Sequence, residues 1–219
     1  MLFAYPQKAH FERVLPKNKI YANAKISTAL KRKFIDQIDK IVWEYKLSTE
    51  TINLAAKKNV SEIEIFTISL REPEIREDVL RCIDNAIPFP IIYELVFENR
   101  IKTKAAFKRP SDADAGKWVT EIYFESAWQS VDDKRDELPL ALDLGVLYEK
   151  ILGSLMPFAK PEGEDIRVCI ERLAEIRCKE TEAEKLESRI RKEKQFNRRV
   201  ELNAELRKLR NEITAMSAA

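Results

Sequence analysis

The last quarter of the chain contains no residue that stops an α-helix. Residues 165–216 include neither proline nor glycine, and they are rich in glutamate, lysine, arginine, leucine and alanine. These are good helix formers, whereas proline and glycine are the residues that interrupt a helix interior. One continuous helix of this length would reach roughly 75 Å at about 1.5 Å per residue. The stretch therefore predicts a helical extension, residues 161–219, that follows a separate domain at residues 1–160.

The apolar residues of this extension do not follow one stripe. Leu186 and Ile190 lead on to the polar Glu193 and Asn197, while Leu202 begins a displaced stripe. Such a change of register has two explanations. Either the helix turns back near residues 195–197 as an antiparallel hairpin, or a single rod presents two faces to different neighbours. We favour the hairpin and keep the rod as the alternative.

The first 160 residues combine strand and helix patterns. β-prone residues predict strands at residues 62–70 and 117–125, and a β-hairpin within residues 91–109. Helical spacing predicts one helix of about eighteen residues from Ser27 or Thr28, a short helix from Pro73, and a third over residues 140–155. The predicted fold class is α+β: an antiparallel sheet of about four strands packed with helices, followed by a long charged C-terminal helix or helical hairpin.

The register of the predicted hairpin follows from its alternating pattern. A two-residue loop at residues 99–100 would pair Leu95 with Lys104 and place lysines on the apolar face. A three-residue loop at residues 98–100 instead pairs Leu95 with Thr103 and places Glu94 opposite Lys104. We predict the longer loop, and with it a lysine-bearing face turned away from the core.

Charge is distributed unevenly along the chain. Residues 1–47 hold ten basic and four acidic side chains, residues 111–143 hold three and nine, and residues 189–210 hold nine and three. Two basic ends thus flank an acidic middle. This asymmetry is typical of a polyanion-binding surface, although the ends can also pair with the middle in the fold.

Several classes of function lack their sequence signals. The four glycines are scattered, so neither a phosphate loop nor a dinucleotide fingerprint is present. A single histidine, His10, cannot assemble a zinc site of the common cysteine and histidine kind, and we predict no metal site and no cofactor. Three scattered cysteines favour free thiols in a reducing compartment. No apolar run is long enough for a membrane span or a signal peptide, so we expect a cytoplasmic protein.

Two basic surfaces are candidates for contact with a nucleic-acid backbone, because exposed lysine and arginine side chains neutralise phosphates. The first surface follows the second hairpin strand, with the candidates Arg100, Lys102, Lys104, Lys108 and Arg109. The second lies near the predicted helix bend, with the candidates Arg198 and Arg199 beside Arg189, Arg191, Lys192 and Lys194. An ordinary solvated face is the alternative interpretation of each.

The displaced stripe of the extension is a candidate surface for a protein partner or for a second copy of the chain. Apolar seams flanked by glutamate, lysine and arginine are typical of recognition between helices. The candidates are Leu202, Leu206, Leu209 and Ile213.

A metal-dependent nuclease is the enzymatic alternative, since it needs only a few carboxylates and a lysine at a sheet edge. The candidates are Glu62, Glu64, Asp84, Glu94, Lys102 and Lys104. The usual step from an acidic residue to a lysine two positions later is not met, because Val96 follows Glu94 at that distance. A self-associating structural protein, whose charged ends pair with its acidic middle, is the third hypothesis.

Three stretches of the chain resemble a bacterial family of uncharacterised proteins, a domain of unknown function. They are residues 81–90 (RCIDNAIPFP), residues 106–110 (AFKRP) followed by Lys117 and Trp118, and residues 193–198 (EKQFNR) followed by residues 201–203. The resemblance implies a gene neighbourhood of helicases and DNA methyltransferases, in clusters of restriction or antiphage-defence type. It carries over no catalytic residue. We therefore expect a non-catalytic accessory or scaffold subunit of a DNA-processing or defence complex, with a helicase or DNA methyltransferase as partner.

Overall fold

The protein divides into two compact units, Met1–Pro157 and Phe158–Ala219. The computed structural model describes residues 2–24, 26–114, 116–158, 160–161 and 163–218. The first unit contains the strands and the shorter helices, and the second contains two long helices.

The first unit has the predicted α+β composition. Its strands are β1 (Phe3–Ala4), β2 (His10–Val14), β3 (Ile38–Ser48), β4 (Glu62–Leu70), β5 (Ile91–Phe97), β6 (Arg100–Pro110), β7 (Trp118–Glu125), β8 (Gln129–Ser130) and β9 (Asp136–Glu137). Its helices are α1 (Lys17–Ala24), α2 (Thr28–Gln37), α3 (Thr49–Ile52), α4 (Glu77–Ala86) and α5 (Leu144–Leu155). The predicted strand at residues 62–70 is confirmed.

Seven strands of the described residues form one mixed, mostly antiparallel sheet, wider than the four strands expected. The order is β2-β3-β4-β5-β6-β7. Strand β8 pairs with the beginning of β6, at Arg100 and Ile101, which β7 does not cover. Within the described part of this sheet, β4 and β5 are the only neighbouring strands that run parallel. Helix α4 connects them, as a crossover between parallel strands requires. The two short strands β1 and β9 pair separately, in parallel.

The helix predicted from Ser27 is shorter than expected. Ser27 caps it as predicted, since its hydroxyl accepts a hydrogen bond from the amide of Leu30, but α2 ends at Gln37 and the chain continues as β3. The register of β3 against β4 shifts twice along its length. Such bulges break the two-residue alternation of a strand, and the apolar positions then fall at three- and four-residue steps. The helical spacing that Ile41, Val42 and Tyr45 continue was therefore misleading.

The three-residue hairpin loop is also wrong. Phe97 pairs with Arg100, so only Glu98 and Asn99 form the loop. Leu95 then lies opposite Lys102, and Tyr93 lies opposite Lys104. Glu98 has a φ of 54°, in the left-handed region that a two-residue loop demands. The tight loop consequently places the lysines of β6 on the same face as the apolar residues of β5.

Two further helices begin later than predicted. Helix α4 starts at Glu77 rather than at Pro73, and α5 starts at Leu144 rather than at residue 140. Asp143 determines the start of α5, because its carboxylate accepts a hydrogen bond from the amide of Val146 at 3.0 Å. Residues 138–142 are consequently an irregular loop between β9 and α5.

The largest hydrophobic cluster of the described residues lies on one face of the sheet. The lysines of β6 point to this same face. Phe66, Tyr93 and Leu95 of the sheet pack in one cluster with Phe34 of α2 and Leu80 of α4. Because α2 and α4 both contribute to this cluster, they cover most of this face of the sheet from solvent.

The second unit is a helical hairpin, as favoured from the sequence. Helix α6 (Ile166–Lys192) is followed by α7 (Phe196–Ala218). Ion pairs connect the helices in antiparallel order: Lys179 with Glu212 and Arg210 with Glu187, each at 2.7 Å. No helix in the described part of the chain is both long and apolar enough to cross a membrane.

Candidate functional site

Several exposed cations of the second unit lie where α6 turns into α7. Six of them make a surface that we name the basic tip: Arg189, Arg191, Lys192, Lys194, Arg198 and Arg199. Among the described residues, the only ion pair of this set joins Arg198 to Glu201 at 3.2 Å. The positive charge of the basic tip is therefore largely unneutralised by the protein itself.

The turn beneath the basic tip is held by hydrogen bonds from the backbone. The amide of Glu193 donates to the carbonyl of Arg189 at 3.0 Å, and the Glu193 side chain accepts from the amide of Gln195 at 2.9 Å. The amide of Arg199 donates to the carbonyl of Gln195 at 3.0 Å. These bonds fix the path of the chain, so the cations project from an ordered turn.

Helix dipoles act differently on the two sides of the turn. Arg189, Arg191 and Lys192 lie in the last turn of α6, where the dipole favours cations. Arg198 and Arg199 lie in the first turn of α7, where it disfavours them by some tenths of a kcal/mol. Local helix stability thus does not account for these two arginines, and the start of α7 adds its own positive potential to the basic tip.

The hairpin lysines of β6 do not form the exposed surface expected of them. Lys102, Lys104 and Lys108 are only 3%, 8% and 1% exposed. The cause is the two-residue loop, which turns these side chains toward the core face. A nucleic-acid backbone cannot lie across them, so the expectation of a solvent-facing lysine strand is wrong.

Two of the buried lysines share one carboxylate. The ammonium groups of Lys102 and Lys104 lie 3.3 and 2.8 Å from Glu125 on the neighbouring strand. Burial by itself raises the pKa of Glu125, but the hydrogen bond and charge of Lys104, with those of Lys102, bring it below its ordinary value. These lysines therefore stabilise the β6–β7 edge.

Lys108 is bound to the end of α4. Its ammonium donates to the carbonyl oxygens of Asp84 and Ile87 and lies 3.6 Å from the Asp84 carboxylate. Burial lowers the pKa of Lys108 to about 8, against the opposing charge of Asp84. Tyr123 donates a hydrogen bond to the same carboxylate. The cluster satisfies carbonyls that the end of a helix otherwise leaves unpaired.

The two arginines of the hairpin candidates differ in exposure. Arg100 is exposed, and its guanidinium lies over the rings of Phe97 and Trp128. Arg109 is half-buried between the carboxylates of Asp112 and Glu121, at 3.0 and 3.3 Å. Arg100 alone of this set is presented to solvent.

The candidate partner seam of α7 is used inside the hairpin. Leu202 and Leu206 are buried in one cluster with Ala183 and Leu186 of α6, and Leu209 packs against it. Ile213, farther along α7, is half-buried. These side chains hold α7 on α6, so a partner protein must use another surface unless the hairpin opens.

Glu62 and Glu64 are close enough for the charge of Glu62 to raise the pKa of Glu64, but the other carboxylates proposed for a nuclease lie apart from them. Thr67 pairs with Glu94, and it lies three positions from Glu64 on β4, so Glu64 and Glu94 point to opposite faces of the sheet. Asp84 is bound to Lys108, and Glu62 forms an ion pair with Lys46. Within the described residues, no group of three or more histidine, cysteine, aspartate or glutamate side chains is placed to hold a metal ion.

A polar cleft lies on the face of the sheet opposite to the hydrophobic cluster that includes Tyr93 and Leu95. The sequence did not reveal this cleft. It has a volume of about 280 Å³, and Glu94 and Arg135 lie in its wall beside Tyr45 and Glu44. Arg135 donates to both Glu94 carboxylate oxygens, at 2.6 and 2.9 Å, and to the carbonyl of Phe3 at 2.9 Å. The hydrogen bond to Glu94 and the negative charge of Glu94 raise the pKa of Arg135, against the opposing effect of burial. Because both Glu94 oxygens are occupied, the pair ties the N-terminal strand to the sheet rather than offering an acid or base.

The fold and this charge distribution define an α+β protein that carries a helical hairpin with a basic tip. The chain belongs to the family described as a domain of unknown function (DUF4391), which it matches over residues 3–213. The resemblance noted in the sequence is thereby confirmed at the level of the family. No curated protein and no solved structure matches the chain.

Proposed function

We propose that the protein is a non-catalytic accessory subunit of a bacterial DNA-processing or defence complex, and that its basic tip contacts the nucleic-acid backbone. The observation that carries the proposal is the set of six exposed cations around one ordered turn. Among the described residues, only one of these six cations, Arg198, forms an ion pair. The gene neighbourhood implied by the family resemblance favours a helicase or DNA methyltransferase as the partner protein.

The electrostatic argument concerns where the positive charge is free. The lysines of β6 are neutralised and buried, whereas the cations of the basic tip remain in solvent. Exposed lysines and arginines bind phosphates by releasing condensed counterions, which gives affinity without sequence preference. Such a contact positions a protein on DNA and leaves catalysis and sequence recognition to its partner.

Duplex binding by substituted proteins tests the role of the basic tip. Fluorescence anisotropy with a short labelled duplex at low salt should show binding by the unchanged protein and much weaker binding by Arg198→Gln/Arg199→Gln. Arg207→Gln/Lys208→Gln is the matched control, because these exposed cations lie farther along the same helix. Equal losses in both variants, or no binding by the unchanged protein, would contradict the proposed contact.

Co-purification tests the accessory role separately. The tagged protein is expressed with the products of its neighbouring genes, nuclease-treated, and recovered over a salt series. We expect a helicase or DNA methyltransferase in stoichiometric amount that survives high salt. Recovery of the chain alone would remove the accessory role while leaving the nucleic-acid contact open to the anisotropy experiment.

A further inference from the structure

The loop between β9 and α5 presents two leucines to solvent. Leu140 and Leu142 are 91% and 90% exposed. Single exposed leucines are ordinary on a protein surface. These two are the most exposed large apolar side chains of the described residues, and they lie on alternate positions of one loop.

The backbone that carries these leucines is held in place. Strand β9 pairs with β1 on one side of the loop, and Asp143 caps α5 on the other. Between them, the Lys150 ammonium donates to the carbonyl of Leu140 at 2.8 Å. A loop fixed in this way loses little conformational freedom when it binds.

Exposed acids precede the leucines, at Asp132, Asp133, Asp136 and Glu137. In the described ranges none of the four forms an ion pair, although the exposed cation Lys134 lies between Asp133 and Asp136 in the chain. The Asp133 carboxylate accepts a hydrogen bond from the amide of Ser130 at 3.1 Å. We name the two leucines together with these four acids the leucine patch. It combines apolar side chains with a net negative charge of four acids against Lys134.

The basic tip has the complementary composition. Phe196 and Val200 are 69% and 52% exposed, and they lie one turn apart on the same side of α7. Arg198 and Arg199 lie between them in the sequence, and the other four cations of the basic tip precede Phe196 in the chain. Apolar side chains can thus form the centre of an interface whose rim pairs acids with bases, an arrangement common in protein–protein interfaces.

We propose that the leucine patch of one copy of this chain binds the basic tip of a second copy, with Leu140 and Leu142 seated against Phe196 and Val200. The two surfaces differ, so the contact is head-to-tail, and each bound copy leaves one unused surface of each kind for the next. The interaction needs no nucleic acid and stands independently of the proposed function. Where DNA occupies the basic tip, it competes with this contact.

The small apolar area of the two surfaces determines how tightly we expect two copies to bind. Four apolar side chains and a charged rim correspond to a weak, transient interface, with a dissociation constant on the order of 10–100 µM. Salt screens the rim, so association should weaken as ionic strength rises.

Sedimentation velocity over a concentration series, extended to a few hundred micromolar, tests the contact with complementary variants. The unchanged protein should form concentration-dependent dimers and larger species at low salt. Leu140→Ser/Leu142→Ser and Phe196→Ser/Arg199→Glu should each be monomeric, because each lacks one surface. An equimolar mixture of the two should form a one-to-one dimer and nothing larger. Val168→Ser, at another exposed position in the second unit, should behave as the unchanged protein.

Three results would overturn the proposal. They are a monomer at every concentration, self-association that survives either double variant, and a mixture that stays monomeric while both variants keep their circular dichroism spectra and melting temperatures. All the substituted side chains are exposed, so misfolding is not expected to obscure the outcome.

Discussion

Both carboxylate oxygens of Glu94 accept hydrogen bonds from the guanidinium of Arg135, at 2.6 and 2.9 Å. Glu94 is 2% exposed, so removal of its partner would leave a charge in the interior. We expect Arg135→Ala to lower the free energy of unfolding by on the order of 3 kcal/mol. Chemical denaturation measures the change. Arg32→Ala breaks an exposed pair with Asp36 and should cost less than about 1 kcal/mol. Equal costs would show that Glu94 is not held by Arg135.

Glu64 makes stability depend on pH. It is 1% exposed, and its carboxylate oxygens have no hydrogen-bond partner among the described residues. Burial, with the negative charge of Glu62, raises its pKa from 4.5 to about 8. The folded protein therefore keeps a proton that the unfolded chain releases between these pH values. Its contribution to stability is fully present below pH 4.5 and is lost as pH rises toward 8.

Substitution of Glu64 should remove this dependence. Glu64→Gln is expected to raise the free energy of unfolding at pH 8 by on the order of 2 kcal/mol and to change it little at pH 4.5. Urea denaturation at a series of pH values gives the comparison. Glu72→Gln, at an exposed position, serves as the control and should leave the pH profile unchanged. A Glu64→Gln profile parallel to that of the unchanged protein would contradict the assignment.

The hairpin loop between β5 and β6 carries removable strain. Glu98 adopts a φ of 54°, a conformation that costs a residue with a Cβ about 1 kcal/mol and costs glycine little. We expect Glu98→Gly to raise the free energy of unfolding by about 0.5–1 kcal/mol. Glu98→Ala should bring no such gain, because alanine keeps the Cβ. Thermal unfolding of the three proteins distinguishes these outcomes, and equal effects of glycine and alanine would rule out strain.

The packing of α7 on α6 depends on buried leucines. Leu206 lies in the cluster with Leu186 and Ala183, so Leu206→Ala should destabilise the helical hairpin by about 2–3 kcal/mol. Hydrogen exchange of the α6 and α7 amides reports this unit by itself. Val168→Ala shortens an exposed side chain of α6 and should change exchange by less than about 0.5 kcal/mol. Unchanged exchange in Leu206→Ala would contradict the seam.

The fold class could be predicted because several local signals agreed. Strand β4 follows from its β-prone residues, the cap of α2 from Ser27, and the helical hairpin from the stripe that Leu202 displaces. The boundary between α2 and β3 could not be found in this way. Bulges gave the strand a helical spacing, and pairing with β4 rather than local preference decided the outcome.

The residues of the candidate site could be predicted from the sequence only where their charged side chains are exposed to solvent. Arg198 and Arg199 are exposed in a run of basic residues, and the sequence singled them out. Lys102 and Lys104 were misplaced, because one residue of loop length turns every side chain of a strand to the other face. The sequence favoured the register that kept lysines out of the core. The structure instead buries them beside Glu125, a partner on another strand that local patterns do not reveal.

The salt dependence of duplex binding tests the central claim most directly. The logarithm of the association constant should fall linearly with the logarithm of salt concentration, with a slope set by the phosphates neutralised. Loss of two phosphate contacts in Arg198→Gln/Arg199→Gln should make this slope shallower by about 2. Arg207→Gln/Lys208→Gln should keep the slope of the unchanged protein. Identical slopes in all three proteins would contradict a nucleic-acid contact at the basic tip.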